Sequence, residues 1–425
     1  MITTTPLHPA LAALKAGATP DAAQLIVALG AALPLLPRLA GTPQEPEWHG
    51  EGDVAVHTAL VLREADTLAA KHGLSPERRL ILLLGALLHD VGKVLTTREE
   101  QDDHGQTRIV SPRHAERGRS ELAYRLSALG LDWPTTWGVL GLVGHHHQLT
   151  RTVENGSAAA YWRLARQVDL ELLTLLERAD LRGRITADQQ EKLEWVELFA
   201  LGAQEHGVYG DAPYAGWAEH IAGHVPGTDN LRDLTLGRGI QAFEEGLITT
   251  PDEAVARSHP ARAGFPELVV TVAPSGSGKS TFVREHLPEH EIISLDALRL
   301  ELGGDAGSQK LNGQVMQLAR ERLKEALRRH RKVVWDATSL RKDFRRAVLG
   351  LGHDYGALTT LLVWTTPEHV AQRRNAARTR SVPAAAIAAQ YDSAEFPHLT
   401  EAHRTRWLDA EGSALGEVGF GDLGG

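Results

Sequence analysis

Residues 268–286 run from an apolar stretch, Leu268–Ala273, through a glycine-rich loop, Ala273-Pro274-Ser275-Gly276-Ser277-Gly278-Lys279-Ser280, into a helix-forming stretch, Thr281–His286. No other feature constrains the fold as strongly. Strand, loop and helix in that order present backbone N–H groups and a helix N-terminus to one point, where they suit a phosphate. The loop follows the pattern G-x-x-x-x-G-K-[ST], in which the Lys reaches the β- and γ-phosphates and the hydroxyl ligates Mg²⁺. Ser275, Gly276, Ser277, Gly278, Lys279, Ser280 and Thr281 are therefore the expected nucleotide-binding residues. Lys279 also has a catalytic role, Ser280 is a metal ligand, and ATP or another NTP with Mg²⁺ is the expected cofactor. The pattern is broken once: its first glycine is Ala273, and alanine tolerates positive φ less well.

Around this loop, short apolar runs recur at Leu268–Ala273, Ile292–Leu295, Val333–Trp335 and Leu358–Trp364, with helical stretches between them. Strands alternating with helices predict an α/β domain built on a parallel sheet. Asp296 follows the second strand, at the sheet edge where ligands bind in such folds. It suits a general base taking a proton from an attacking hydroxyl, or else simply caps a helix. Arg299, three residues on, shares its face and suits an acceptor phosphate. Asp336 ends the third strand and suits Mg²⁺ or its water shell. Arg341 and Arg345 follow in a basic run, expected to touch nucleic acid. Arg374 and Arg378, with Arg380, precede Ser381-Val382-Pro383 and suit a lid over the transferring phosphoryl group.

The formal charge of −9 falls on the other half of the chain. Residues 266–425 carry 21 Lys+Arg against 20 Asp+Glu, so the acidic excess lies in residues 1–265. The C-terminal half is thus the better polyanion binder. The chain has no cysteine and 21 His. Disulfides and thiolate metal sites are excluded, and a cytoplasmic setting is expected. No membrane partner is expected, since the apolar stretch Ala22–Leu33 is too short to span and is closed by Pro34 and Pro37.

Residues 1–190 read as helices: one opened by Ser75 and Pro76 and running to His89, one over Ala115–Leu129, one over Tyr161–Asp180. Residues 191–265 read as a helical connecting segment, 266–410 as the α/β domain, and 411–425 as a Gly-rich tail. The helical part holds His57, then His89-Asp90-Val91-Gly92-Lys93, His114, His145-His146-His147 and Asp180. His89 and Asp90 can reach one metal from a helix end, with His57 and Asp180 completing the shell. A second metal would use His114 and one of His145 or His146, with Asp90 bridging, the triple His leaving the register within 145–147 open. Neutral imidazole and carboxylate suit Mn, Fe, Co, Ni or Zn ions. Two such ions activate water and clamp a phosphoryl centre, giving Asp90 a catalytic role. Lys93, one turn from His89, suits a phosphate oxygen.

The C-terminal residues resemble the polynucleotide 5′-hydroxyl kinases of phages and bacteria. The likeness lies in Gly276-Ser277-Gly278-Lys279-Ser280, Asp296-x-x-Arg299, Trp335-Asp336-Ala337-Thr338, and Arg374-Asn375-x-x-Arg378 before Val382-Pro383, over most of 266–400. It implies Asp296 as general base, Arg299 on the acceptor's phosphate, and Arg374 or Arg378 as lid residues. The H…HD…H…H…D order resembles the HD phosphohydrolase superfamily. It is similar above all to the HD domains of bacterial tRNA nucleotidyltransferases, through Pro43–Val54, His57-Thr58, His89–Lys93, Ser111–His114 and Ala179–Arg184, over roughly 30–190. No polymerase domain is recognisable. This likeness implies hydrolysis of 2′,3′-cyclic phosphates and 2′-phosphates at RNA ends. Together they predict a multidomain chain: an all-α HD domain plus an α/β P-loop kinase domain with a parallel sheet, acting as a bifunctional RNA end-healing enzyme. Its partners would be RNA ends, or DNA ends, and a downstream RNA ligase. The alternatives are a small-molecule or nucleotide kinase fused to a nucleotide phosphohydrolase, and a nucleotide-sensing regulatory protein.

Overall fold

A computed structural model of the chain describes residues 5–210, 213–303, 311–378 and 381–419. Arg380 and residues 420–425 lie outside them. The chain divides into two compact units, Met1–Pro213 and Tyr214–Gly425. The segment 191–265 is divided between them: the helix Gln189–Glu205 belongs to the first, and residues from Tyr214 onward to the second.

The first unit is built on five helices: α1 (Val54–Lys71), α2 (Pro76–Leu88), α3 (His114–Ala123), α4 (Trp133–His145) and α5 (Leu170–Arg182). Polar residues start four of them. Asp53, Ser75, Asp132 and Asp169 each accept a backbone N–H from three residues on, satisfying a donor the helix cannot. Helix α2 is buried almost all round, with Leu80, Leu82, Leu83, Leu84, Leu87 and Leu88 each at most 2% exposed. It therefore forms the centre against which α1, α4 and α5 pack. The turn after α2 is fixed by Gly92. A Cβ there would lie 2.0 Å from the His114 carbonyl oxygen, so only glycine lets the end of α2 meet the start of α3.

Two helices differ from the sequence expectation. The stretch 161–180 is broken: a helix Ala158–Ala165 ends, and Asp169 caps a new one. Residues 115–129 end as α-helix at Ala123 and continue as a 3₁₀ turn, Leu126–Leu129, closed by Gly130 at φ 69°. A hairpin of β1 (Arg98–Gln101) and β2 (Thr107–Val110) also forms. Its first strand is Arg-Glu-Glu-Gln and wholly exposed, so no alternation announces it.

In the second unit, α6 (Asp229–Glu244) precedes a six-stranded sheet of order β4-β5-β3-β6-β7-β8. The strands are β3 (Glu267–Val272), β4 (Glu291–Ser294), β5 (Lys332–Asp336), β6 (Leu358–Trp364), β7 (Arg404–Leu408) and β8 (Ala414–Val418). All neighbours are parallel except β7 and β8. The crossover helices are α7 (Lys279–His286), α8 (Leu295–Glu301), α9 (Asn312–Arg328), α10 (Lys342–Asp354), α11 (Glu368–Ala376) and α12 (Ala384–Asp392). Strand β6 is buried along its whole length, as a central parallel strand must be. The supposed tail from 411 is instead structured up to 419: β8 pairs antiparallel with β7 across a turn in which Asp409 accepts the Glu411 and Ser413 N–H groups.

Candidate functional site

In the helical unit, α1, α2, α3, the end of α4 and α5 bring His57, His89, Asp90, His114, His146, His147 and Asp180 into one pocket. Of these, all but His147 are buried. The residues form two groups. His57 Nε2 lies 2.9 Å from Asp180 Oδ1 and 3.4 Å from His89 Nε2. His114 Nε2 lies 3.2 Å from His146 Nε2 and 3.0 Å from His147 Nε2. Asp90 stands between the groups. Its Oδ2 is 3.3 Å from His89 Nε2, and its Oδ1 is 3.2 Å from His114 Nε2.

Hydrogen bonds fix the tautomers. His89, His114 and His146 each direct Nδ1 at a backbone carbonyl, of Ala86, Ser111 and Val143, at 2.8–2.9 Å. A carbonyl only accepts, so these Nδ1 atoms carry a proton, and a neutral ring would present its Nε2 lone pair to the pocket. In that form His114 and His146 face one another lone pair to lone pair. Burial, then the neighbouring His147 and His114, push His146 well below the usual imidazole range. The donor chemistry fits a cation at this point, and the residues that would hold it are His114, His146, His147 and Asp90. In the other group, burial opposes a charged His57, but Asp180 and Glu51 together raise its pKa. Two carboxylates around His57 thus favour positive charge at the point where a metal would be held by His57, His89, Asp180 and Asp90.

The surrounding residues tune the pocket. Lys93 Nζ lies 2.8 Å from Asp90 Oδ2 and donates to Gln44 Oε1 at 2.7 Å. Burial would raise the carboxyls of Asp90 and Asp180. Lys93 for the first and Arg184 for the second are the leading opposing charges, and both acids stay well below the usual range. Glu51 Oε1 lies 2.9 Å from both His57 Nδ1 and His49 Nδ1, while its Oε2 accepts the Ile185 N–H at 2.9 Å. Such a carboxylate behind a ligating imidazole orients the ring and raises its basicity.

The structure separates residues that the sequence left together. His145 points its Nδ1 at the Gly141 carbonyl, 2.9 Å away, and it is His147 that joins His114 and His146. Glu51 and Arg184 were not among the expected site residues, whereas His147 belongs to the register left open at 145–147. Arg184 had a signal, lying four residues after Asp180, with which it pairs from just beyond the end of α5.

In the α/β unit, β3 delivers the loop to the N-terminus of α7. Gly276 and Gly278 take φ of 88° and 93°, and a Cβ on Gly276 would lie 2.3 Å from the Ala371 carbonyl oxygen. Ala273 needs no such freedom. It is fully buried in a cluster with Val269, Val283, Leu362 and Trp364, and its N–H donates to the Thr338 carbonyl. Ala273 directly follows β3 and is not among the residues of positive φ, so a methyl group packs where glycine would leave space. Ser280 Oγ donates to Asp336 Oδ2 at 2.9 Å, which makes the pair the residues that would hold Mg²⁺. The loop is braced from α12: the Ser275 N–H donates to Gln390 Oε1 at 2.7 Å, and Gln390 Nε2 donates to Ser275 Oγ at 3.1 Å.

Ser294, at the end of β4, is aligned with Asp336 at the end of β5, so Asp296 begins α8 beside that seat. Its side chain is 72% exposed and pairs with Arg299 Nη1 at 2.6 Å. Arg299 Nη2 also donates to Asn312 Oδ1. Ser294, not Asp296, caps α8. Arg374 borders the loop: its Nη1 would be 4.0 Å from a Cβ on Gly278. The same guanidinium holds the Ala410 carbonyl and Glu411. Arg378 lies exposed beyond α11, and Arg341 is exposed and paired with Asp343. Arg345 corrects the expectation of a nucleic-acid contact. It is fully buried, bidentate to Glu401 at 2.7 and 2.9 Å, and donates to the Ser339 and Leu340 carbonyls. Every direction from which a phosphate would approach is occupied by protein.

Residues 54–182 match the HD domain family model, and residues 268–397 match a model described as an AAA domain. Similar curated proteins include the "Multifunctional CCA protein" of Burkholderia pseudomallei (strain 1106a), 34% identical over 156 residues, covering 36% of this chain and 30% of the relative. The protein of the same name from Burkholderia vietnamiensis is 34% identical over 174 residues, covering 38% and 37%. The one from Cupriavidus necator is 32% identical over 167 residues, covering 37% and 36%. The chain spans about a third of the length of these relatives. A gluconokinase from Sinorhizobium meliloti aligns with a TM-score of 0.27 and 20% identity, covering 35% of this chain and 84% of that one. No helix among the described residues is long and apolar enough to cross a membrane. Residues 54–182 thus form an HD domain and residues 268–397 a P-loop kinase-like domain, joined in one multidomain chain.

Proposed function

We propose that the chain is a bifunctional enzyme that heals broken nucleic-acid ends, RNA above all. The observation that carries this reading is the pairing, in one chain, of a carboxylate-bridged imidazole pocket with a P-loop that has an exposed acid and arginine beside its Mg²⁺ seat. In the α/β unit Asp296 takes the proton of a strand's 5′-hydroxyl as its oxygen bonds to the γ-phosphorus. The bond from that phosphorus to the β–γ bridging oxygen breaks, and the nucleoside diphosphate leaves. Arg299 exchanges Asp296 for the phosphate next to the acceptor hydroxyl, while Lys279 and Arg374 or Arg378 hold the transferring group. The 72% exposure of Asp296 supports an acceptor presented from solvent, such as a strand end. Arg341 is the remaining cation of the expected acceptor face.

In the helical unit the substrate is a 2′,3′-cyclic phosphate or 2′-phosphate end. Divalent ions supply an acidified water and charge neutralisation when bound. Asp90 orients both groups of ligands from one side chain, and Lys93 and Arg184 hold anionic oxygens. A ligase is the class of partner that consumes the healed ends.

The test is one RNA strand bearing a 5′-hydroxyl and a 2′,3′-cyclic phosphate, incubated with ATP, Mg²⁺ and Mn²⁺. Gain of a 5′-phosphate and loss of the cyclic end are expected. Asp296→Ala removes only the first, and Asp90→Ala or Asp180→Ala only the second. Phosphorylation of nucleosides in preference to the strand would overturn the acceptor class. Loss of both reactions in Asp296→Ala would overturn the assignment of two separate sites.

A further inference from the structure

A second cavity lies in the α/β unit, between α6 and the helix Pro251–Arg257. Its volume is about 230 Å³, and Thr235, Arg238, Gly239, Arg257, Ser258 and Ala261 are among the residues lining it. That is below the roughly 300–1,000 Å³ of sites for drug-sized ligands, so a small ligand or a single group of a larger one fits. The wall carries two guanidiniums and no acid. Arg238 Nη2 donates to the Gly356 carbonyl at 2.6 Å, and Arg257 Nη2 donates to the Leu247 carbonyl at 3.1 Å. Among the described residues no carboxylate pairs with either.

Arg257 is exposed, but Arg238 is half-buried, and for such a residue this is unusual within the unit. Arg345 and Arg404, the arginines buried in it, are matched by Glu401 and Asp233. A partly buried cation without a counterion is costly, and burial pushes the Arg238 guanidinium below its ordinary range. Arginine has five N–H donors, of which Arg238 places one on a carbonyl. Thr235 and Ser258 donate their hydroxyl protons to the Leu231 and Val255 carbonyls, so the side-chain donors left to an anion in this wall are those of the guanidiniums.

The cavity is not part of the phosphate-binding loop. Gly356 precedes β6, and the Leu358 N–H donates to the Pro266 carbonyl just before β3. Arg238 therefore sits at the N-terminal edge of the parallel sheet. The loop leaves the opposite edge, a strand length of about 20 Å away.

We infer that this cavity is a second anion site, in which Arg238 and Arg257 bind a phosphate group remote from the nucleotide. The group comes either from free phosphate or from the backbone of a nucleic acid, and both present the same tetrahedral oxygens to a guanidinium fork.

The experiment uses the full chain at pH 8 with EDTA, in a Lys279→Ala background that disables the loop as a competing anion site. Inorganic phosphate is titrated by calorimetry, with binding by a 5′-phosphorylated 12-mer measured alongside. Saturable phosphate binding is expected in Lys279→Ala. Adding Arg238→Gln should weaken it at least tenfold, and adding Arg257→Gln, an exposed position that leaves folding intact, several-fold. Tighter binding of the 12-mer, lost in the same variants, would identify nucleic acid as the source. Equal binding of phosphate and 12-mer would identify the free ion. Absence of phosphate binding in Lys279→Ala, or identical affinity with Arg257→Gln added, would overturn the site.

Discussion

Replacing Glu51 by Gln tests how the imidazole pocket is held together. Glu51 Oε1 stands 2.9 Å from His57 Nδ1 and from His49 Nδ1, with the side chain 1% exposed. Burial would raise its pKa, but His49, His57 and the Ile185 N–H hold it below the usual carboxylate range, so its charge is present at neutral pH. Glutamine keeps an acceptor for His57 Nδ1 and removes that charge. Loss of such an outer partner costs about 10–100-fold in metal affinity, or about 1.4–2.8 kcal/mol. The same charge raises the pKa of His57, so its removal also eases the competition between a proton and the ion, an effect of opposite sign. Working at pH 8.5 minimises that competition. The assay is calorimetric titration of EDTA-stripped protein with Co²⁺ or Mn²⁺. Two classes of binding are expected, and only the class holding His57, His89 and Asp180 should weaken. Both classes within twofold of the parent, with an unchanged melting temperature, would refute the role given to Glu51.

Other substitutions probe the α/β unit. Ala273→Gly should cost about 1–2 kcal/mol in denaturant melts, from one buried methyl group and added backbone freedom, and leave nucleotide affinity unchanged; tighter nucleotide binding would mean that the loop wants positive φ there after all. Gly276→Ala places a Cβ 2.3 Å from the Ala371 carbonyl at φ 88°. It should cost about 1–3 kcal/mol and at least tenfold in nucleotide affinity by fluorescent-analogue titration. Arg345→Ala strands Glu401 and should destabilise the protein by about 3–5 kcal/mol. Arg341→Ala should leave stability unchanged and reduce the salt dependence of oligonucleotide binding by about one charge. An equal salt response from both variants would contradict their different placements.

The parts legible in the sequence were those whose chemistry is local. The loop from Ala273 to Ser280 is contiguous, and its strand and helix flank it directly. The order of His57, His89-Asp90, His114 and Asp180 was legible because each falls on a separate helix whose caps or breaks are written nearby. The choice among His145, His146 and His147 was not. Adjacent residues on a helix end differ by about 100° in direction, and which of them turns inward depends on where α4 meets α3. Arg345 looked like its neighbours in a basic run because its partner, Glu401, lies 56 residues downstream. Strands β7 and β8 escaped notice because Arg404 and Arg406 interrupt the apolar alternation. Arg404 is satisfied by Asp233 and Asn230, and Arg406 by Glu417. The break before α5 was read through as one helix over Tyr161–Asp180, although Asp169, a capping residue directly preceding an apolar run, marks it.

The turn between β7 and β8 changes what counts as the end of the P-loop kinase-like domain. Ala410 and Glu411 hold the guanidinium of Arg374, which borders the loop, and a Cβ on Gly412 would lie 3.0 Å from Phe282 on α7. A fragment cut at 397, where the family likeness stops, would lose two strands and leave Arg374 without its anchor. A fragment cut at 410 would keep β7 but bare its outer edge, a row of unpaired N–H and C=O groups that invites another chain to pair. Any piece of this protein meant to carry the P-loop domain alone must therefore run through residue 419. The short stretch beyond β7 serves both as a cover for the sheet and as the rest position of an arginine that borders the nucleotide loop.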